Sequence, residues 1–301
     1  MAAVRRCNER FSSNGPMAID GSQFMNGQFD AANLAFLRKF LRFMHLLAGV
    51  DPAQCVFIND TPPHAHEHQI DWLLRLGYRV PERFRTTFAG TTSENARAAQ
   101  LPVSAVDRVD CLDWLTRRGL LGRPLVLLQP ANKRTMRWNG VRPAHDDDKA
   151  WPVDRWAALA HAVASRQPEA RLLLCGASDE RRYLQRIRGA ANLNVLTSAC
   201  GELPLPRLKA LLEIAHSMVS VDTGPAHLAA AMGCPLVVLF GARSPDNWAP
   251  RSNGATPVAI LGGLPATRRV DALTVEQVVQ AWIALGHSAA ARPATPVGTP
   301  A

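Results

Sequence analysis

From Pro124 onward the chain alternates between short, wholly apolar runs and longer segments whose apolar residues recur every three or four positions. PLVLLQP, ARLLLCG, LNVLTSA, SMVSVD, PLVVLFG and PVAILGG are short and continuous, and read as strands buried on both faces. VDRWAALAHAVASRQ, SDERRYLQRIRG, LPRLKALLEIAH, GPAHLAAAMG and TVEQVVQAWIALG carry the helical period. This alternation predicts an α/β domain over residues 121–286: a parallel sheet covered by helices on both faces, Rossmann-like and doubly wound.

Upstream the pattern is less regular. Residues 1–30 are rich in Gly, Ser, Asn and Gln and predict a disordered tail, as does the Pro- and Ala-rich stretch 287–301. Residues 31–48 predict an amphipathic helix, with Leu34, Leu37, Phe40, Leu41 and Met44 on one side and Arg38, Arg42 and His45 on the other. Such a helix either docks on its own domain or lies on an anionic membrane. CVFIND (55–60) predicts a short strand. HAHEHQIDWLLRLGY (64–78) becomes helical, with Gly77 as its stop. Residues 79–111 predict a connection with one or two strands, and CLDWLTRRGLLG (111–122) a short helix.

The formal net charge of +9 favours an anionic partner: nucleic acid, a phosphorylated substrate or an acidic membrane surface. RWNGVR adds basic and aromatic residues, but no nucleic-acid-binding module accompanies it, so nucleic acid is not the expected partner. Cys7, Cys55, Cys111, Cys175, Cys200 and Cys234 are scattered without a CxxC pair, which points to reduced thiols in a cytoplasmic protein. The first residues lack the apolar segment of a secretory signal, and no uncharged apolar run reaches the length of about 18 residues that a membrane span needs. HAHEH is dense in potential metal ligands but has no partner at a zinc-site spacing. The acids of HDDDK (145–149) fall in a polar loop and read as solvated charges. No metal and no cofactor are expected.

The densest chemistry is SVDTGPAHLAAAMGCPLVVLFG, residues 220–241. A strand ends at Asp222 and a helix starts at once, with Pro225 in the first turn, where its missing N–H costs nothing. Thr223, Gly224 and the first helical amides then point out from the carboxyl end of a parallel sheet, where ligands of such folds bind. Gly224 allows a phosphate close to the backbone, and Thr223 adds a hydroxyl. A bare carboxylate does not face a diphosphate, so Asp222 is expected to cap amides or accept a sugar hydroxyl. His227, one turn into the helix, either faces the ligand or packs as a structural residue. The residues alone leave two readings open, a phosphate-binding turn or a well-capped helix.

DTGPAHLAAAMGCPLVVLFG followed by SPDNWAP closely resembles the C-terminal signature of glycosyltransferase family 9, the ADP-heptose:lipopolysaccharide heptosyltransferases. Upstream, Gln129-Pro130-Ala131 at a strand end and Lys149-Ala150-Trp151-Pro152 opening a helix resemble the family's phosphate loop and Lys-x-Trp-Pro element. A weaker similarity is the His-led helix of His64, Leu73, Leu74, Leu76 and Gly77. The resemblance covers residues 64–285, most strongly after Pro124. It implies a GT-B architecture: a C-terminal nucleotide-sugar-binding domain (121–286) and a partial, abbreviated N-terminal acceptor-side domain with its linker (31–120). It implies a donor-binding set of Lys149, Asp222, Thr223, Gly224, Pro225, His227, Gln129 and Ala131, with Lys149 on the donor diphosphate.

The implied activity is inverting transfer of heptose from ADP-heptose to a lipid-linked lipopolysaccharide core acceptor. The implied place is the cytoplasm, with peripheral contact at the inner face of the inner membrane. Three departures from the family pattern stand out. Pro130-Ala131-Asn132 replaces the usual Pro-Gly-Ala, and residues 133–148 form a longer segment than usual. The N-terminal strand and Gly-Asp loop that carry the family's base are missing: AIDGSQF has Asp20-Gly21 in reverse order, and Asp60 follows CVFIN without a motif. No catalytic base is therefore assigned. A family member that binds nucleotide sugar or a partner transferase without turnover is the alternative. A nucleotide-sugar epimerase of similar architecture is a third, against which the Lys-x-Trp-Pro and Asp-Thr-Gly-Pro pair argues.

Overall fold

A computed structural model of the protein describes residues 52–54, 56, 61–86, 101–137, 140–252 and 256–289. The predicted tail 1–30, residues 290–301 of the predicted C-terminal tail, the amphipathic helix 31–48, most of the CVFIND strand, Asp20 and Asp60 lie outside the described residues, whereas residues 287–289, predicted disordered, continue the last helix. The chain separates into two compact units, residues 1–93 and 94–301.

In the first unit the described helix is α1 (Gln69–Gly77). His68 is its N-cap, and its Nδ1 accepts the amide of Ile70 at 3.1 Å. Glu67 pairs with Arg75 at 2.6 Å and accepts the amide of His64. The HAHEH stretch thus starts a helix. Gly77 is the last helical residue rather than a left-handed stop, since Tyr78 beyond it keeps a right-handed φ of −84°.

The second unit begins with α2 (Ala105–Arg117) where the sequence predicted strand and connection up to residue 111. The overlooked signal is Ser104-x-x-Asp107, a capping box. Ser104 Oγ accepts the amide of Asp107 at 3.1 Å, and the Asp107 carboxylate accepts the amide of Ser104. Strands then follow in order: β1 (Leu125–Gln129), a short antiparallel pair β2 (Met136–Arg137) and β3 (Gly140–Val141), β4 (Arg171–Leu174), β5 (Leu196–Ser198), β6 (Ser217–Val221), β7 (Leu236–Phe240) and β8 (Val258–Gly262). The helices are α3 (Val153–Arg166), α4 (Arg181–Ala191), α5 (Leu205–Ile214), α6 (Gly224–Ala231), α7 (Pro245–Trp248) and α8 (Val275–Ala289). Each predicted strand and helix after Pro124 is present; the β2–β3 pair and α7 were not anticipated.

The main sheet has six parallel strands in the order β5-β4-β1-β6-β7-β8. With the small pair set aside this is the 3-2-1-4-5-6 order of doubly wound folds. Alternate side chains of β1 enter different cores, as the strand period of two requires. Val126 and Leu128 pack with Trp156 and Leu159 of α3, Leu184 and Ile187 of α4, and Val278 and Trp282 of α8. Leu125 and Leu127 pack with Trp114 and Leu115 of α2, Leu211 of α5 and Ala229 of α6. Burial on both faces is why the inner strands β1 and β7 are almost wholly apolar, while the edge strands β5 and β8 are only partly buried.

Loss of the Ser104 cap leaves an orphan amide at the start of α2. Ser104→Ala is expected to destabilise the second unit by about 1 kcal/mol in urea titrations followed by tryptophan fluorescence. An unchanged midpoint would show that the capping box contributes nothing.

Candidate functional site

The strand order has one physical consequence for ligands. From β1 the chain winds outward to β4 and β5, then returns to β6 on the other side and continues to β7 and β8. The connections after β1 and β6 therefore run to opposite faces and leave a crevice beyond their carboxyl ends. β1 and β6 are neighbours, with Gln129 opposite Ser220, so the segments after Gln129 and after Val221 both open on that crevice.

After β6 come Asp222 and Thr223, and α6 begins at Gly224. Thr223 is the N-cap in extended conformation, and no side chain caps the helix. This corrects the expectation that Asp222 or Thr223 caps the amides. Thr223 Oγ1 instead lies 3.3 Å from Ser220 Oγ. Gly224 is exposed, and a Cβ added there would meet no atom within 4 Å. The amide end of α6 thus faces open space, and its partial positive charge is unanswered by any capping side chain.

Lys149 reaches this point from a loop 73 residues away in sequence. Its Nζ donates to the carbonyl of Asp222 at 2.9 Å and to Asp222 Oδ2 at 2.6 Å. Asp222 Oδ1 lies 3.6 Å from His227 Nε2. The Asp222 side chain is 9% exposed and that of Lys149 19%. Burial pushes the Asp222 carboxyl up, but the His227 imidazole and the Lys149 ammonium together hold it below the usual carboxylate range. Asp222 is therefore a carboxylate already committed to a cation, which is the electrostatic reason it can stand beside an anion site. His227 is half-buried and faces Asp222 at the start of the helix, neither wholly packed nor free of neighbours. Pro225 occupies the first turn of α6, as expected.

On the β1 side, Gln129 is buried and its Nε2 donates to the carbonyl of Ala131 at 2.9 Å. Ala131 is itself buried and presents no surface to solvent. Gln129 lies opposite Ser220, whose Oγ is 3.3 Å from Thr223 Oγ1, and Gln129 and Ala131 support the loop from beneath rather than presenting side chains to solvent.

The loop between β1 and Lys149 is where the sequence misled most. The acids of HDDDK are not all solvated. Asp147 is 1% exposed: one oxygen accepts Asn132 Nδ2 at 3.0 Å and the other the amide of Lys149 at 3.2 Å. Asp148 pairs with Arg134 at 2.7 Å and accepts the amide of Ala242, just past β7, at 2.8 Å. Arg134 also donates to the carbonyl of Asp146, and Arg142 Nε to the carbonyl of Arg134. Two residues past Lys149, Trp151 is buried with its indole N–H on the carbonyl of Leu273 at 2.9 Å. Lys149 is thus fixed from both sides. Gly241 permits the approach, since a Cβ there would fall 2.6 Å from the carbonyl oxygen of Asp148.

Sequence reasoning also missed Glu180. It sits just beyond the carboxyl end of β4, the strand beside β1, and is 7% exposed. One oxygen accepts the amide of Ala177 at 2.8 Å. Burial raises its carboxyl to about 6, against the backbone hydrogen bond from Ala177 and with a smaller push from Asp179. A signal existed in the acidic step directly after the Gly176-Ala177 strand end, but nothing in the sequence announces its burial.

A six-stranded parallel sheet in this order, with a lysine and an open helix terminus at its switch crevice, is a Rossmann-like half of the GT-B type. Residues 98–277 match the model of glycosyltransferase family 9 (heptosyltransferase), and the chain belongs to that family. Lipopolysaccharide heptosyltransferase 3 of Escherichia coli is 29% identical over 133 residues, 44% of this chain and 36% of the relative. Lipopolysaccharide heptosyltransferase 1 of Pseudomonas aeruginosa is 35% identical over 97 residues, 32% of this chain and 26% of the relative. The similarity to these curated relatives therefore spans about a third of their length. Among solved structures, E. coli ADP-heptose lps heptosyltransferase II superposes with a TM-score of 0.53 at 23% identity, over 66% of this chain and 57% of that one. The family 9 glycosyl transferase of Veillonella parvula gives 0.54 at 17% identity, over 73% and 60%. These two share the fold. No helix among the described residues is long and apolar enough to cross a membrane.

Two outcomes follow from the geometry. Gly241→Ala drives a methyl into Asp148 and is expected to lower the thermal midpoint of the second unit by the equivalent of about 1–3 kcal/mol; an unaltered melt would mean the Asp148 contact yields freely. For Glu180, the folded value of about 6 exceeds the ordinary 4.5. Between those values the native chain holds a proton that the unfolded chain has released. This contribution is full below pH 4.5 and lost as pH rises through 6. Glu180→Gln keeps an acceptor for Ala177, so it is expected to stabilise the protein relative to the parent at pH 8 and not at pH 4. Equal differences at the two pH values, measured by denaturant titration, would refute a raised Glu180.

Proposed function

We propose that this chain transfers heptose from ADP-heptose to a lipid-linked lipopolysaccharide core acceptor, with inversion. The observation that carries the reading is the Lys149 ammonium held on Asp222 beside the uncapped, exposed start of α6. Lys149, the Thr223 hydroxyl and the Gly224 amide take the donor diphosphate, since Pro225 has no N–H and the amides of Ala226 and His227 donate to the carbonyl of Thr223. Pro225 and His227 shape the same turn, and Gln129 and Ala131 support the opposite wall. With both Asp222 oxygens facing Lys149 and His227, Glu180, in the 3-10 turn that follows β4, is the carboxyl we assign to accept a sugar hydroxyl.

In the transfer, an acceptor hydroxyl oxygen attacks the anomeric carbon from the face opposite ADP. The bond from that carbon to the diphosphate oxygen breaks, and ADP leaves with the electron pair. Charge grows on the diphosphate as the bond opens. Donors already fixed around it stabilise that charge without reorganising, and preorganised stabilisation of this kind commonly supplies most of an enzyme's acceleration. The hydroxyl proton goes to a base that no described residue supplies in an assigned role; Asp20 and Asp60 lie outside the described residues. The reaction belongs on the cytoplasmic side, where a lipid-linked acceptor presents its unfinished core.

Lys149→Ala removes a charge-assisted hydrogen bond of about 1.5–3 kcal/mol. ADP affinity by calorimetry is expected to fall roughly 10- to 100-fold, and ADP release from ADP-heptose with a core acceptor to fall at least as much. Unchanged ADP affinity would remove Lys149 from the site. Donor binding by the parent chain with no ADP release in the presence of acceptor would favour a binding module without turnover, and a changed sugar without acceptor an epimerase.

A further inference from the structure

The face of α4 carries charge that nothing in the site uses. Its eleven residues, RRYLQRIRGAA, contain four arginines and no acid. Tyr183, Leu184, Ile187 and Ala191 form the buried stripe. At about 100° per residue, Arg181 and Arg188 fall along one edge of the opposite side and Arg182 and Arg186 along the other. The uncharged Gln185 and Gly189 lie between the two edges. All four arginines are exposed, and among the described residues none is held in an ion pair within 4.0 Å.

Several other arginines of the unit are paired, although among the described residues exposed Arg166 and Arg268 are not. Arg108, Arg118, Arg134, Arg207 and Arg269 each hold a carboxylate. Helix stability does not explain the α4 set. Arg181 and Arg182 stand in the first turn, the end where the helix dipole disfavours cations, although Asp179 and Glu180 just ahead of it offset part of that cost. The next helix on the same face of the sheet, α3, adds exposed His161 and Arg166. Four of the chain's 34 Lys and Arg residues thus lie on one helix face about 10 Å long, with no acid on that helix and without apolar residues that would mark a protein-protein core.

We propose that the outer face of α4 is a docking surface for an anionic lipid bilayer. Its occupant is identified by charge complementarity: four exposed guanidinium groups spread along two edges of one helix face, with no carboxylate among the described residues fixing their orientation, suit a diffuse field of lipid phosphates rather than one phosphate. α4 begins beside the carboxyl end of β4, at the same end of the sheet as the crevice, so docking by this face brings the site toward the lipid surface. The proposal stands on charge and does not depend on the transferase reading.

The test is cosedimentation of the full chain with vesicles of phosphatidylcholine alone or mixed with phosphatidylglycerol. Each basic residue at an anionic surface contributes about 1 kcal/mol, roughly fivefold in partitioning. The parent is expected to bind only the anionic vesicles, less so as salt rises. Replacing all four arginines with Gln should weaken binding on the order of a hundredfold or more, and the milder Arg182→Gln with Arg186→Gln roughly 25-fold. The four-fold Arg→Lys variant should bind like the parent, because a diffuse field reads charge and not guanidinium shape. Parent-like binding by the Gln variants would overturn the proposal and place the contact elsewhere in the chain, for example in residues 31–48. Loss of binding in the Lys variant would overturn it in favour of a discrete phosphate site.

Discussion

The contact on which the site depends is the Lys149 ammonium seated against the carbonyl and carboxylate of Asp222. It joins the two sides of the switch crevice: one residue follows β6 directly, the other ends the long excursion from β1. A pair this buried contributes little to net stability, because both ions lose water. Its effect is to specify position. Removing either partner alone would leave the other charge poorly compensated, at a cost of about 3–5 kcal/mol for a fully buried pair and less here, where Lys149 keeps some solvent. The pair therefore fixes where positive charge stands relative to the open amide end of α6.

That position is supported by polar contacts that look dispensable one by one. Asn132, Arg134, Asp147 and Asp148 turn a polar insertion into a braced loop. The brace reaches β7 through Ala242 and the Val270 region through the Asp148 carbonyl, so the lysine is tied to three separated parts of the fold. Residues 133–148 hold the β2–β3 pair and a short 3-10 turn at Ala144–Asp146. Asn132 starts this network, with its side chain joining the amide of Arg134 to the Asp147 carboxylate.

Periodicity made the sheet and its helices legible, since buried parallel strands leave a continuous apolar trace. Strand order is not written in that trace; it follows from which face each helix covers. The site was legible where local rules decide it, as at Gly224 and Pro225. It was misread where the deciding partner is distant in sequence. Asp222 looked like a cap because its cation lies at Lys149, and the acids at 146–148 looked solvated because Asn132, Arg134 and Ala242 meet them only after folding. Glu180 was marked only by its acidic step after the strand, and its shift, which comes from burial, left no trace in the sequence. Ser104-x-x-Asp107 was readable but was outweighed by the Thr, Arg and Pro residues upstream.

Under the proposed function, the Asp222 pairing also limits how tightly the site holds product. An unpaired lysine would attract the diphosphate of ADP as strongly as that of the intact donor. Binding that is equal in ground state, transition state and product gives no acceleration and slows release. Asp222 already occupies two of the three ammonium protons, so an arriving diphosphate gains only the remaining one or must compete with a carboxylate. The competition is won more readily as charge builds on the leaving oxygen than before the bond opens. Asp222 thereby shifts the contribution of Lys149 from holding the donor toward stabilising its departure, while the uncharged Gly224 amide and Thr223 hydroxyl keep the diphosphate in register.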